Sequence, residues 1–462
     1  MSDRGAPPAR LVDPQHRLLL IGIVCLITLV AVEAMAISTV MPVVEAELGD
    51  LWLYGWVFSA FYLGNLIGVV VGGRAVDRVP PIGPMSIGIA VFLIGLTVGG
   101  LAPAMWVLVL GRLLQGVGTG VVPAVAYVCV GRGFPSELRP RVFAVMSTAW
   151  VVPSLVSPLL ASEIADRFGW RWVFLGLIPV TVVVALLAVP ALRSVTTPES
   201  DGPVGSSTPV RSVLVLAGGA AVLLGGFSLG TPWIGVPVAV VGLVVLLPAF
   251  RALTPAGTLR AVPALPAAVL TRGVLTFAFF GADAFVSLAM TSVRGASTRT
   301  AGVVLASSSL LWTAGSWLQA RYSDSWGATR LVRFGGVTLA LGCVTMAASL
   351  SSAVPVGVWL IAGGLTGLGI GTAYSPLSVV TLAEADAGHE GAATSALQMT
   401  DILGIALGTG LAGVLVNSGD RLDLPAWQPL AGVFAMSAVV AVGVVALAPR
   451  LRPPRVTVRP AR

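Results

Sequence analysis

The sequence predicts an all-α membrane protein: fourteen transmembrane helices in two six-helix pseudo-repeat halves, with an extra central helix pair. Three observations predict it. Of 462 residues 56% are hydrophobic and only 10% are charged, whereas a soluble domain carries roughly 25% charge, so there is too little charge to coat soluble domains of this total length. The apolar residues fall in repeated runs long enough to cross about 30 Å of hydrocarbon. There are 55 glycines, a residue tolerated in membrane helices because it lets backbones approach closely.

The runs follow in order. A segment at 1–17 precedes Leu18–Val40, which is too long for a signal peptide core and lacks an evident small-residue cleavage site. Then come Leu51–Gly73, Pro84–Leu101, Met105–Val130, Val142–Ala161 and Trp172–Leu192. Together these make a first half at 18–192. A Pro-, Ser-, Thr- and Gly-rich linker at 193–211 leads to Ser212–Gly230 and, after a very short turn, Trp233–Phe250, the extra pair at 212–250. A second polar linker at 251–272 opens the second half at 273–448, with spans Gly273–Ser292, Thr300–Ala320, Leu331–Leu350, Val354–Leu382, Ala392–Val416 and Leu430–Ala448, before a basic tail at 449–462.

All 27 cations are arginine. With the N-terminus in the cytoplasm, 21 fall in inner segments and 5 in outer loops, the remaining one, Arg112, lying inside a span. A bias of this size is the positive-inside signature. It predicts a multi-pass cell-membrane protein with both termini cytoplasmic, and an even span count, since an odd one would export the basic tail. The same bias explains the basic balance without nucleic acid. Cys25, Cys129 and Cys343 are far apart within apolar runs, which predicts neither a disulfide framework nor a metal site.

Each half carries an Asp/Arg loop after its second helix: Gly73-Arg74-Ala75-Val76-Asp77-Arg78, and Ala320–Arg330 with Asp324. The placement suggests an internal repeat. Gly73-x-x-x-Asp77-Arg78, Arg112-Leu113-Leu114-Gln115-Gly116-Val117-Gly118, Glu33 nine positions before Pro42, and Gly169-Trp170-Arg171-Trp172-Val173-Phe174 with Pro179 together resemble the major facilitator superfamily, and within it the fourteen-span drug:proton antiporter branch. The resemblance covers the whole chain. It departs in two places. The signature loop continues Val79-Pro80-Pro81 instead of with Gly and basic residues. The helix-five stretch from Pro153 to Ser162 keeps only Pro158 of the branch's Gly-Pro pair, with Ser157 and other small residues standing for Gly. In the family that motif goes with export, so direction is left open.

Ionisable side chains inside spans are costly, roughly 2.5–3.5 kcal/mol on insertion scales, and point to function. Glu33 is a candidate proton carrier or contact for a cationic substrate; the plainer alternative is a structural ion pair with Arg112. A carboxyl in low dielectric is suited to loading and releasing protons near neutral pH. Arg112, with Gln115 beside it, keeps its charge, and the resemblance implies a part in proton coupling; a fixed structural pairing is the alternative. Asp283, in the first helix of the second half, is the topological counterpart of Glu33, or else a packing hydrogen bond. Asp401 is a further protonation candidate, or a partner of Thr400 or Gln398. Asp77, Arg78, Gly73 and Asp324 are candidates for a cytoplasmic gate, and Pro153, Ser157 and Pro158 mark the helix-five motif. The stripes Gly116/Gly120, Gly363/Gly367/Gly371 and Gly404/Gly408 read first as packing faces. Trp52, Tyr54, Trp56, Trp106, Trp170, Trp172, Trp233 and Trp427 read as interfacial anchors, and Phe279, Phe280 and Phe285 as lining around Asp283 or as lipid-facing packing.

No nucleotide loop, nucleophile triad or metal cluster is evident, and His16 and His389 are isolated. The expectation is no enzyme and no cofactor, but a secondary transporter working as a monomer in the lipid bilayer. Its partners would be protons and a small-molecule substrate, by resemblance a lipophilic or cationic compound exported by alternating access. One specific metabolite, natural product or lipid is the alternative cargo; a non-transporting scaffold or sensor is the alternative class.

Overall fold

The computed structural model describes residues 14–76, 78–135, 138, 142, 145–146, 149, 151–195, 210–386 and 390–452. Among the described residues, fourteen long helical segments carry the chain. They are α1 (Pro14–Leu48), α2 (Tyr54–Val76), α3 (Ile82–Gly100), α4 (Met105–Gly133), α5 (Val151–Phe168), α6 (Arg171–Ala191), α7 (Val210–Ser228) and α8 (Pro232–Leu253). After these come α9 (Leu265–Val293), α10 (Thr298–Ser323), α11 (Ser325–Ser349), α12 (Val358–Ala383), α13 (Glu390–Arg421) and α14 (Trp427–Leu447). Among the described residues no strand occurs, and thirteen helices are long and apolar enough to cross a membrane. The helix outside that set is α5: much of the expected span's beginning, within 139–150, lies outside the described residues, and its other end carries Glu163, Asp166 and Arg167.

The expected loop Ala320–Arg330 is instead helical. Thr298–Ser349 runs on through it and turns only at Gly327, where φ is 67°. No proline interrupts this stretch, so the backbone keeps its helical bonds until a residue without a Cβ can take the left-handed region. The helix that opens the second half also starts earlier than expected, at Leu265 with Pro266 in its first turn, a position where the missing N–H costs nothing.

The chain sorts into two compact units: Met1–Ile37 with Gly64–Ser207, and Ser38–Leu63 with Thr208–Arg462. In the first, α3 and α4 meet along glycines. A Cβ at Gly95, Gly111 or Gly118 would fall on the facing helix's backbone. Gly120 closes on Asn65, Gly68 and Val69 of α2 in the same manner. An apolar cluster beside them joins Leu19, Ile23 and Leu26 of α1 to Val125 and Cys129 of α4 and Ala188 of α6.

In the second unit the glycine stripes do the same. Gly363, Gly367 and Gly371 of α12 lie on Val304, Ser308 and Trp312 of α10, and Gly404 and Gly408 of α13 lie on Gly273 and Phe277 of α9. In lipid no hydrophobic force drives helices together, so close backbone approach supplies the packing. The α7–α8 pair closes on itself through Gly219, Gly226, Gly235 and Gly242. Its hairpin end is fastened within the unit: the Ser228 carbonyl accepts from Arg421 Nη2 at 2.7 Å, and its hydroxyl from Trp56 Nε1 at 3.2 Å. The start of α2 belongs here because Gly55 lies against Gly413 and Ser59 donates to the Ala406 carbonyl at 2.8 Å.

Two of the expected anchors are corrected. Tyr54 is fully buried, packed on Phe58 and Phe285, and Trp170 is buried edge-on against Phe174. Trp52, Trp106, Trp172, Trp233 and Trp427 are exposed, as membrane-interface anchors require.

Candidate functional site

Among the described residues, two groups of side chains built on a buried ion pair stand inside the spans, one in each unit. In the first unit, Arg112 of α4 pairs with Glu33 of α1, and both are almost wholly buried at 1% and 2% exposed. Arg112 Nη1 also donates to Gln115 Oε1 at 2.6 Å, and Gln115 Nε2 passes the chain on to the Gly95 carbonyl at 2.9 Å. The i, i+3 spacing of Arg112 and Gln115 places both on one helix face. Glu33 Oε2 is buried and, among the described residues, has no hydrogen-bond partner. A buried pair with one oxygen left unmatched is an incompletely compensated site, because desolvation of that lone pair is not offset.

The helix-five motif reaches the same place. Ser157 Oγ donates to the carbonyl of Val32, one residue before Glu33, at 2.6 Å, while Pro153 and Pro158 are buried on α5. Glu33, Arg112, Gln115 and Ser157 therefore assemble into one site, with the pairing that sequence reasoning offered as the plainer reading of Glu33.

In the second unit the arrangement differs from expectation. Arg272, assigned by sequence to a cytoplasmic linker, lies within α9 at 5% exposed. Its Nε donates to Asp401 Oδ1 at 3.0 Å, and its other nitrogens reach the Tyr374 carbonyl and Ser378 Oγ. The guanidinium lies 3.2 Å from the Tyr374 ring centre, and the Tyr374 hydroxyl donates to Asp401 Oδ2 at 2.9 Å. Asp401 thus pairs with Arg272 and Tyr374 rather than with Thr400 or Gln398; the Thr400 hydroxyl turns back to the Ala396 carbonyl. Polarity at that position is satisfied across three helices because α9 begins early enough to carry its arginine into the bundle.

Asp283 contrasts with Asp401. It is partly exposed, and among the described residues it makes neither a hydrogen bond nor an ion pair. It ends the regular part of α9: Phe285 leaves the helical region at φ −107°, ψ 1°, and a π-helical turn follows at Ala289–Val293. Such breaks within membrane helices concentrate at functional sites. From here an aromatic row crosses the unit. Tyr62 meets Phe280 with ring centres 6.1 Å apart, Phe280 meets Trp312 at 6.2 Å, and Trp312 meets Tyr374 at 5.7 Å. Tyr62 lies close enough to feel the charges of both Asp283 and Asp401. Of the three phenylalanines flagged from sequence, Phe280 is partly exposed on this row, while Phe279 and Phe285 are buried as packing.

The gate residues are less assembled. Asp77 lies outside the described residues, as does the side chain of Asp324. Arg78 is exposed, and a Cβ at Gly73 would meet open space. The side chain that does close the end of α2 is Arg132, whose Nη1 donates to the Val76 carbonyl at 2.9 Å. Arg132, Arg272, Tyr374 and Trp312 were not singled out from sequence. The available signal was Asp401 itself: a carboxyl inside a span calls for a cation within reach, and Arg272 directly precedes the span Gly273–Ser292.

An all-helical bundle of apolar spans with ionisable groups paired inside it defines a polytopic membrane protein of the transporter type. The Major Facilitator Superfamily profile matches residues 23–350 and 268–462, and the chain belongs to that superfamily, a transporter and not an enzyme. It is 27% identical over 434 residues to a probable multidrug-efflux transporter of Mycobacterium tuberculosis, covering 91% of each chain. It is 25% identical over 169 residues to the multidrug efflux pump SdrM of Staphylococcus aureus, covering 37% of this chain and 38% of that one. Among solved structures, a POT family transporter in complex with a thioalcohol-conjugated peptide superposes with a TM-score of 0.69 at 14% identity, over 95% of this chain and 96% of that one. The xylose transporter XylE of E. coli does so with 0.64 at 14% identity, over 95% and 98%. At these identities the structural likeness speaks to the fold alone.

Proposed function

We propose that the chain is a proton-coupled antiporter of the cell membrane that exports lipophilic or cationic small molecules by alternating access, as a monomer with both termini cytoplasmic. The observation that carries the reading is the contrast between carboxyls. Among the described residues, Glu33 holds a buried ion pair with one oxygen unmatched, while Asp283 stands without a counter-charge at a helix break beside partly exposed aromatic rings. A free carboxylate next to aromatic faces suits an organic cation, since rings and charge both attract it. Glu33 and Asp283 serve as exchangeable proton sites that a cationic substrate displaces, Arg112 with Gln115 holding the Glu33 charge in place. Asp77, Arg78, Gly73 and Asp324 act as the cytoplasmic gate. The names of the mycobacterial and staphylococcal relatives support the multidrug character.

The test is transport of ethidium, a planar aromatic cation, in inverted vesicles under an imposed pH gradient. The parent is expected to accumulate it, and Glu33→Gln and Asp283→Asn to lose at least tenfold in gradient-driven rate. Parent-like transport by both variants removes the two carboxyls from the mechanism. A second reading keeps the fold and changes the cargo to one metabolite, natural product or lipid. The departures at Pro153–Ser162 from the export motif favour it, and a panel of drug cations giving no gradient-dependent transport would select it.

A further inference from the structure

Among the described residues, Tyr374 is the side chain that joins the aromatic row of the second unit to its ion pair. On one side it touches Trp312, with ring centres 5.7 Å apart. On the other it receives the Arg272 guanidinium on its ring at 3.2 Å, and its hydroxyl donates a hydrogen bond to Asp401 Oδ2 at 2.9 Å. The contact with Trp312 is held by backbone: one turn from Tyr374, Gly371 lies against the Trp312 main chain with no room for a Cβ. Trp312 and Phe280 are partly exposed, so a flat ligand stacking on the row presses on Trp312, directly or through Phe280, and Trp312 touches Tyr374. The hydroxyl-to-carboxylate bond favours the charged form of Asp401, and any movement of the ring that lengthens it favours proton uptake.

We propose that Tyr374 is a positioning residue that transmits occupancy of the Tyr62–Phe280–Trp312 row to the protonation of Asp401. Among the described residues, few groups bear on Asp401. Arg272 comes from α9, Tyr374 is the lone titratable residue of α12, and Tyr62 of α2 lies within charge range, as it does of Asp283. Neither α14 nor the turn Leu51–Leu53 brings a titratable side chain, and α7 carries only Arg211, which is exposed. The proposal extends the cation-binding reading of the same unit and rests on aromatic compounds binding there.

The experiment is infrared titration of the purified full chain in detergent, following the protonated-carboxyl band that Asp401→Asn removes, with and without ethidium. In the parent, ethidium is expected to shift the titration midpoint by about one pH unit, the size of change that one hydrogen bond to a carboxylate supports. In Tyr374→Phe, which keeps the ring and loses the hydroxyl, the ligand-free midpoint moves to higher pH and the ethidium response disappears. In Trp312→Leu, which leaves the Tyr374–Asp401 bond intact, the ligand-free midpoint stays with the parent and only the response is lost. A midpoint that ignores ethidium in the parent, or a response in Tyr374→Phe equal to the parent's, overturns the proposal. Vesicle transport is read separately: parent vesicles that move no ethidium strike at the transport reading, while the band titration judges Tyr374 on its own.

Discussion

Replacing Arg112 with Gln removes the charge that faces Glu33 and leaves the carboxylate where it is. The two side chains are 1% and 2% exposed, so water does not replace the lost partner, and Glu33 Oε2 already lacks one. Breaking a buried pair by deleting one member costs about 3–5 kcal/mol, and Arg112→Gln is expected to destabilise the chain by that amount at neutral pH. Adding Glu33→Gln removes the stranded charge, so the double variant should recover all but about 1–2 kcal/mol. Reversible unfolding in mixed micelles at neutral pH, run on the parent, both single variants and the double variant, measures all of this. An Arg112→Gln variant as stable as the parent refutes the argument that this pair is buried and mutually dependent.

Other expectations follow from the packing. Gly371→Ala, which sets a Cβ on the Trp312 backbone, should cost about 1–3 kcal/mol of unfolding free energy, whereas Gly432→Ala, with nothing near it, should cost less than about 0.5 kcal/mol. Ala264 adopts φ 73°, ψ −125° in the loop before α9, where its N–H bonds to the Arg450 carbonyl; Ala264→Gly relieves that strain and should stabilise the chain by about 1 kcal/mol in the same assay. Arg421→Ala releases the Ser228 carbonyl, so hydrogen exchange at the α7–α8 hairpin should quicken while exchange in α12 stays unchanged.

The apolar runs were legible because lipid imposes length and composition on every span at once. Glu33 and Arg112 were legible because an ionisable side chain inside such a run stands out against it. Arg272 was missed for the converse reason. A run is read as ending at its first charge, and here that charge lies on the helix, neutralised from α13 by a residue 129 positions away. No local signal carries that partnership, and the same holds for the row from Tyr62 to Tyr374, whose members come from four helices. Tyr54 and Trp170 were misplaced because an aromatic residue near a span's end reads alike whether it meets headgroups or a neighbouring helix. The helical passage through Ala320–Arg330 was hidden by polar residues that composition assigns to a loop, although only Gly327 there breaks the backbone.

Proton movement during substrate transport, followed with a pH-sensitive dye sealed inside liposomes carrying the purified chain, tests the coupling most directly. Ethidium moving in one direction should drive protons in the other, with the proton flux abolished in Glu33→Gln or Asp283→Asn. Ethidium transport that proceeds at full rate with no proton flux, or after the pH gradient is collapsed, contradicts the account.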